Sequence, residues 1–220
     1  MKKIAIFSIL FTLLTLSVFA QGSFYDDMDG NSHGWYSTTD LNKTHFSSSS
    51  MWINIGVDSD KNYNGMLCGR SFDQYSDFTF ESTQRLHSGS VGNGIIWNYS
   101  DNQNYMKFLI TDRDQGYSVW EVVNGKSTAL IPWSTNTSIN KGFKTNTIKV
   151  KKTGSVTRFY VNGTEVGSKN IRYKGSKAGI FLGTNVNVKL QVEDFRYSLG
   201  RSGQSMPVNE EDNGGKPSGR

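Results

Sequence analysis

Polar and apolar residues alternate with a period of two along much of this chain, most clearly between Thr145 and Val166. Ile148 and Val150 alternate with Lys149 and Lys151, the pattern of a strand with one face buried and one in water. Thr153-Gly154-Ser155 forms a short turn, and Phe159 and Val161 continue a second strand. Asn162-Gly163 tolerates positive φ at both positions and turns tightly into Thr164-Glu165-Val166. The same grammar recurs elsewhere. Phe78 and Phe80 share a face opposite Thr79, Glu81, Thr83 and Arg85, which predicts a half-buried strand over Phe78–Leu86. Further strands are expected at Met51–Val57, Met66–Phe72, Ile95–Tyr99, Tyr105–Thr111, Tyr117–Val123, Ser127–Ile131, Ala178–Gly183 and Lys189–Tyr197. Asp40–Ser50 is polar, Asp58–Gly65 reads as a turn, and Pro132–Phe143, which holds Trp133, reads as an irregular crossing segment. Short strands at regular spacing with no helical stripe predict an all-β protein, a two-sheet antiparallel jelly-roll sandwich.

Both ends break this pattern. Lys2 and Lys3 precede an apolar run from Ile4 to Phe19, followed by Ala20-Gln21. A basic start, a short apolar core and a small residue before the cut describe a secretory signal peptide, residues 1–20, and the run is short of the roughly 20 residues of a membrane span. No cysteine stands directly after the cut, where Gln21 sits, so no lipid anchor is expected there. Residues 21–199 form the jelly-roll domain. Residues 200–220 are rich in Gly and Ser, carry a Glu210-Glu211-Asp212 run, and are expected to be a disordered tail. The chain is therefore expected to be secreted or periplasmic, with no membrane association after cleavage.

Cys68 is the only cysteine, so no internal disulfide can form, and its neighbours Met66, Leu67 and Phe72 predict a buried thiol. The formal net charge is +5, and residues 141–199 carry 12 basic and 3 acidic residues. On alternating strands such charges are a solvated face rather than a nucleic-acid footprint, because strands distant in sequence interleave in a sandwich. No nucleic-acid partner is expected.

The opening Phe24-Tyr25-Asp26-Asp27 is followed by Gly94-Ile95-Ile96-Trp97-Asn98, Asn104-Tyr105-Met106-Lys107-Phe108-Leu109-Ile110 and Gly116-Tyr117-Ser118-Val119. Asn146-Thr147-Ile148-Lys149-Val150, Phe159-Tyr160-Val161-Asn162-Gly163 and Val192-Glu193-Asp194-Phe195 complete the series. In that order these segments resemble the concanavalin A-like lectin/glucanase superfamily, and more narrowly the laminin-G-like jelly-roll domains of exported bacterial proteins. The resemblance covers most of Phe24–Leu199 and speaks to fold more than to function. Hydrolases of that superfamily carry a Glu-x-Asp-x-Glu or Glu-x-Asp-x-x-Glu strand, which sets alternate carboxylates on one face. Here Glu81 and Glu121 stand alone on their strands, and the adjacent Glu193 and Asp194 point to opposite faces. A hydrolase or lyase, as in the 3-keto-disaccharide hydrolase-like jelly rolls, would have to gather its acids from separate strands.

His33, His45 and His87 lack metal-ligand spacing. No catalytic residue, metal ligand or cofactor is expected. Asp27-Met28-Asp29-Gly30-Asn31 departs from an EF-hand loop and reads as a turn, while Asp26 and Asp194 leave room for a structural calcium ion if the terminal strands pair. Five Trp and ten Tyr exceed what the core needs. Sugars stack their apolar faces on aromatic rings while planar polar groups take the hydroxyls. Trp97, Asn98, Tyr99, Tyr105, Lys107, Trp120 and Glu121 fall on neighbouring strands and are the candidate ligand-binding set. Met106, Phe108 and Ile110 are the better core face, which leaves Tyr105 and Lys107 on the outer face. The expected function is a non-catalytic, lectin-like carbohydrate-binding module. A glycan-active enzyme with dispersed acids and an extracellular protein-interaction module are the other two classes.

Overall fold

The computed structural model describes residues 23–37, 43–55, 63–89, 92–183 and 188–200. The expected signal peptide and the tail beyond residue 200 lie outside them. The strands run β1 (Phe24–Asp26), β2 (Tyr36–Ser37), β3 (Lys43–Phe46), β4 (Met51–Ile55), β5 (Tyr63–Leu67), β6 (Phe78–Ser88), β7 (Asn93–Asp101) and β8 (Asn104–Thr111). They continue through β9 (Gly116–Val123), β10 (Lys126–Thr135), β11 (Asn146–Thr153), β12 (Val156–Val161), β13 (Thr164–Asn170), β14 (Lys177–Gly183) and β15 (Val188–Leu199). All pairings are antiparallel and make two sheets. Sheet A has the order β13-β12-β11-β6-β15-β4-β3, with β1 also on β15, and sheet B has the order β10-β9-β8-β7-β14-β5-β2. This is the two-sheet jelly roll that the alternation predicts.

Both expected hairpin turns form, since Asn124, Gly125, Asn162 and Gly163 all have positive φ. Four local expectations change. β3 occupies part of the polar Asp40–Ser50 stretch, where it is an edge strand with little apolar demand. The two-residue β2 also went unread. The strand expected at Met66–Phe72 starts earlier, at Tyr63, and its ladder stops at Leu67. β10 continues through Pro132 and Trp133 to Thr135, in place of the irregular segment. It is the edge of sheet B, where a proline costs no ladder bond.

The core fills the space between the sheets. Phe159 of sheet A is fully buried and meets Trp97 at 5.8 Å and Phe108 at 5.1 Å, both on sheet B. Phe24, Phe72, Phe80, Phe195 and Tyr197 form a second aromatic group within the same core. Polar side chains tie the layers together. On β6, Gln84 donates through Nε2 to Gly94 O at 3.0 Å and accepts from Asn93 Nδ2 at 2.9 Å, which links sheet A to the start of β7. Asp26, almost fully buried, accepts from Met28 N (2.9 Å) and Trp35 Nε1 (2.8 Å) and lies 2.7 Å from His33 Nδ1. Asp194 instead accepts from Thr83 N of β6 at 2.8 Å, so one carboxylate ties a loop and the other a strand pair. Cys68 is buried as expected, and burial pushes its thiol pKa up.

The run of cations in sequence is partly neutralised in space. Lys149 pairs with Glu81 at 2.6 Å across β11 and β6, and Arg158 approaches Glu165 at 3.8 Å. Both pairs are partly exposed and contribute little each.

Phe159 sets a test of the packing. Phe159→Ala should cost about 3–5 kcal/mol, because the buried ring leaves a cavity between Trp97 and Phe108 that neither sheet can close. A denaturant titration measures it, and a loss below about 1 kcal/mol would contradict the assigned face.

Candidate functional site

Alternation on sheet B decides what faces away from the core. Trp97, Phe108 and Val119 point inward and are fully buried, so Ile96, Lys107 and Trp120 point outward. The register sets Ile96 beside Lys107 and Lys107 beside Trp120. Around them Leu67, Ile96, Tyr105, Leu109, Val122 and Phe181 form a second apolar cluster on the outer face, with Tyr99 and Trp120 packed on it and partly exposed. Sheet B is thus apolar on both faces.

Among the described residues, Lys107 is the one charge embedded in this cluster. Its Nζ lies 4.9 Å from the Phe181 ring centroid and 5.8 Å from that of Trp120. Among the described residues its ammonium has no hydrogen-bond or ion-pair partner. Burial lowers its pKa from the ordinary lysine value, because the charged form loses water and gains no counter-ion. The ring faces offset part of that cost through cation–π attraction. Trp120 is held by its indole N–H, which donates to Ser118 Oγ at 2.8 Å. Tyr99 lies 6.1 Å from Tyr105 and donates through its hydroxyl to Asn102 Oδ1 at 2.8 Å. The surface therefore offers flat apolar rings in fixed orientations beside an ammonium with donors to spare.

Four of the seven residues singled out from the sequence, Tyr99, Tyr105, Lys107 and Trp120, meet on this surface. Three do not. Trp97 is 0 % exposed and belongs to the core against Phe159. The run Ile95-Ile96-Trp97 is apolar on both faces, so periodicity gives it no side. Asn98 sits at φ +50° in a bulged part of β7, and its polar groups are occupied by the fold. Its N–H donates to Gln74 Oε1 at 2.9 Å, its Oδ1 accepts from Lys174 N and Gly175 N at 2.7 Å each, and its Nδ2 donates to Arg172 O at 3.1 Å. Gln74 completes the tie through Nε2 to Gly175 O. Glu121 projects from the opposite face of β9 to Trp120 and lines a narrow crevice with Asn98, Arg172 and Lys174.

Sequence reasoning also passed over Trp133. It is 47 % exposed and stands where β10 is bulged, at the Thr111–Gly116 end of the same face. The available signal was a lone Trp beside a Pro, which fits an edge-strand bulge as well as a loop. Among the described residues no three His, Cys, Asp or Glu side chains gather as metal ligands would.

No family model matches the chain, and no curated protein matches it in sequence. Solved structures do resemble it in shape. Carbohydrate-binding module CBM66 from Bacillus subtilis superposes with a TM-score of 0.56 at 15% identity, over 75% of this chain and 97% of that one. A Bacillus licheniformis beta-glucanase gives 0.61 at 12% identity, over 82% and 99%. A GH43 protein from Bacillus licheniformis gives 0.59 at 17% identity, over 80% of this chain and 39% of that one. At these identities the likeness establishes the fold alone, a two-sheet antiparallel jelly-roll sandwich.

Lys107 carries a sign that can be checked. A lysine whose folded pKa is depressed disfavours the fold while it is protonated, and that penalty fades as pH rises from the folded value to the unfolded value near 10.4. Lys107→Met keeps the aliphatic stem and gives up no hydrogen bond or ion pair. It should melt no lower than the natural protein at pH 7, and part of the rise in stability on the alkaline side should disappear. Calorimetry across pH 7–10.5 measures both; a melting temperature several degrees lower for the variant would overturn the assignment of Lys107 as an unpaired charge.

Proposed function

We propose that this protein is an exported carbohydrate-binding module that holds glycan on the outer face of sheet B without cleaving it. The observation that carries this is the half-exposed Trp120 beside the unpaired Lys107 ammonium, both set on a buried apolar floor. A pyranose ring can lie its C–H face on the indole, while its hydroxyls or a carboxylate take the ammonium's donors. Tyr99 extends the platform. A free lysine in an apolar surround favours a ligand that brings negative charge, so a glycan with uronate or sulfate groups fits better than a neutral one.

The structural relatives support the ligand class: one is described as a carbohydrate-binding module and another as a beta-glucanase. The disposition of acids supports binding over hydrolysis. Glycoside hydrolysis pairs two carboxyl groups across the scissile bond, roughly 5–9.5 Å apart. Here Glu121 faces away from Trp120, Glu81 is engaged by Lys149 on sheet A, and Glu193 and Asp194 lie on β15, also in sheet A. The basic start, apolar run and Ala20-Gln21 junction support export.

Two measurements test this. Trp120→Ala should weaken glycan binding at least about tenfold, the scale of one lost stacking contact, with only a small shift in melting temperature because the ring is partly exposed. A glycan array run beside thermal melts reads both, and equal loss of stability and binding would mean that Trp120 is only part of the fold. Mass spectrometry of protein recovered from a secreting host should find residues 1–20 absent, whereas an intact Met1 terminus on the exported protein would refute cleavage.

A further inference from the structure

Trp133 lies on the same face as Trp120 but at the far end of the strands, and the chain goes to some length to put it there. Between Ile131 and Ser134, β10 has two residues, Pro132 and Trp133, opposite the single Ser118 of β9, because Ile131 pairs with Val119 and Ser134 with Tyr117. That is a β-bulge, a device that re-aims a side chain at a sheet edge. The neighbours make room for the indole. A Cβ on Gly116 would come within 3.3 Å of Trp133 Cε3 and 2.9 Å of Thr111 Oγ1, and one on Gly92 within 3.5 Å of Trp133 Cη2. The indole thus seats over two glycines, braced from below and still 47 % exposed above.

Beside it is a depression of about 560 Å³ lined by Thr111, Asp114, Gly116, Trp133, Ser134 and Thr135. Three hydroxyls and one carboxylate face the cavity with one aromatic wall, and among the described residues no lysine or arginine lines it. Asp114 is itself exposed, with Arg113 Nε a loose 4.0 Å away. Ser134 Oγ donates to Pro132 O at 3.0 Å and keeps its lone pairs for a ligand donor. Hydroxyl-rich, acceptor-bearing and stacked on one ring, the depression suits an uncharged sugar and repels an anionic one.

Gly116 and Trp120 lie four residues apart on β9, about 13 Å at the usual rise per residue, with Leu109 and Ser118 between them on the shared face. That separation exceeds a single pyranose. We infer that Trp133, Asp114, Thr111, Ser134 and Thr135 form a second subsite for a neutral sugar unit. The ligand is then a linear oligosaccharide running along β8 and β9, neutral at the Trp133 end and anionic at Lys107. The inference rests on the carbohydrate-binding reading of Lys107 and Trp120 and adds to it length selectivity and a polarity of charge along the chain.

Hyaluronan oligosaccharides of two, four and six sugars, which alternate a neutral ring with a glucuronate, separate the two ideas by calorimetry. The natural protein should bind the hexasaccharide at least about tenfold more tightly than the disaccharide. Trp133→Ala should erase that gain and leave the disaccharide affinity unchanged. Asp114→Asn, which alters only an exposed side chain, should reduce the gain severalfold and covers the case of a poorly folding Trp133 variant. Lys107→Met should weaken all lengths by the same factor. Affinity that does not grow with length, or growth that survives both Trp133→Ala and Asp114→Asn, overturns the second subsite while the Lys107–Trp120 site stands. Failure of the natural protein to bind any of the three lengths overturns both.

Discussion

The contact of Phe159 with Trp97 and Phe108 settles which way sheet B faces. Two sheets stacked about 10 Å apart leave room for one interdigitated layer of side chains, and the large rings claim it first. Once Trp97 and Phe108 are committed to that layer, the alternation of a strand allows no choice for their neighbours. Ile96, Lys107 and Trp120 must face out. The candidate site is thus a by-product of core packing on the other side of the same backbone. A one-residue slip of β7 would expose an indole, and one of β8 would bury an ammonium and expose a benzyl ring.

Strands with one apolar face were legible from their residues. β6 and β11 alternate without interruption, and β8 showed its core face through Met106, Phe108 and Ile110. The turns at Asn124-Gly125 and Asn162-Gly163 were equally plain, because few residues accept positive φ twice in succession. Legibility failed where both faces are apolar. Nothing in Ile95-Ile96-Trp97 distinguishes in from out, and the choice is made by Phe159, which comes from a strand more than sixty residues away. It failed again at β10, where the edge position that makes Pro132 tolerable is a fact of topology and not of local sequence.

Polar residues misled for a different reason. Asn98 and Glu121 look alike on paper, as polar side chains among aromatics. In space, Asn98 satisfies four backbone or side-chain partners and fastens residues 172–175 to β7, and Gln84 bridges the sheets. Unpaired polar atoms are costly in a core, so such side chains are absorbed by the architecture. The same holds for many of the cations, with Lys149 taken by Glu81 and Lys152 by the carbonyls of Tyr75 and Ser76. Against that background a partly buried lysine touching only rings stands apart. An unmatched charge held out of water is a cost the fold carries until something arrives to match it.

The double irregularity of β10 has a consequence beyond aiming Trp133. The outermost strand of an open sheet presents unpaired N–H and C=O groups, and a long flat edge would template pairing with another molecule. β10 breaks its register twice, between Ala129 and Ile131 and again between Ile131 and Ser134, and Pro132 removes a donor from the row. A second chain laid against it would find its hydrogen bonds out of step within a few residues. The kink that lifts an aromatic platform into solvent also guards that border against self-assembly, so a protein with an apolar outer face can remain dispersed.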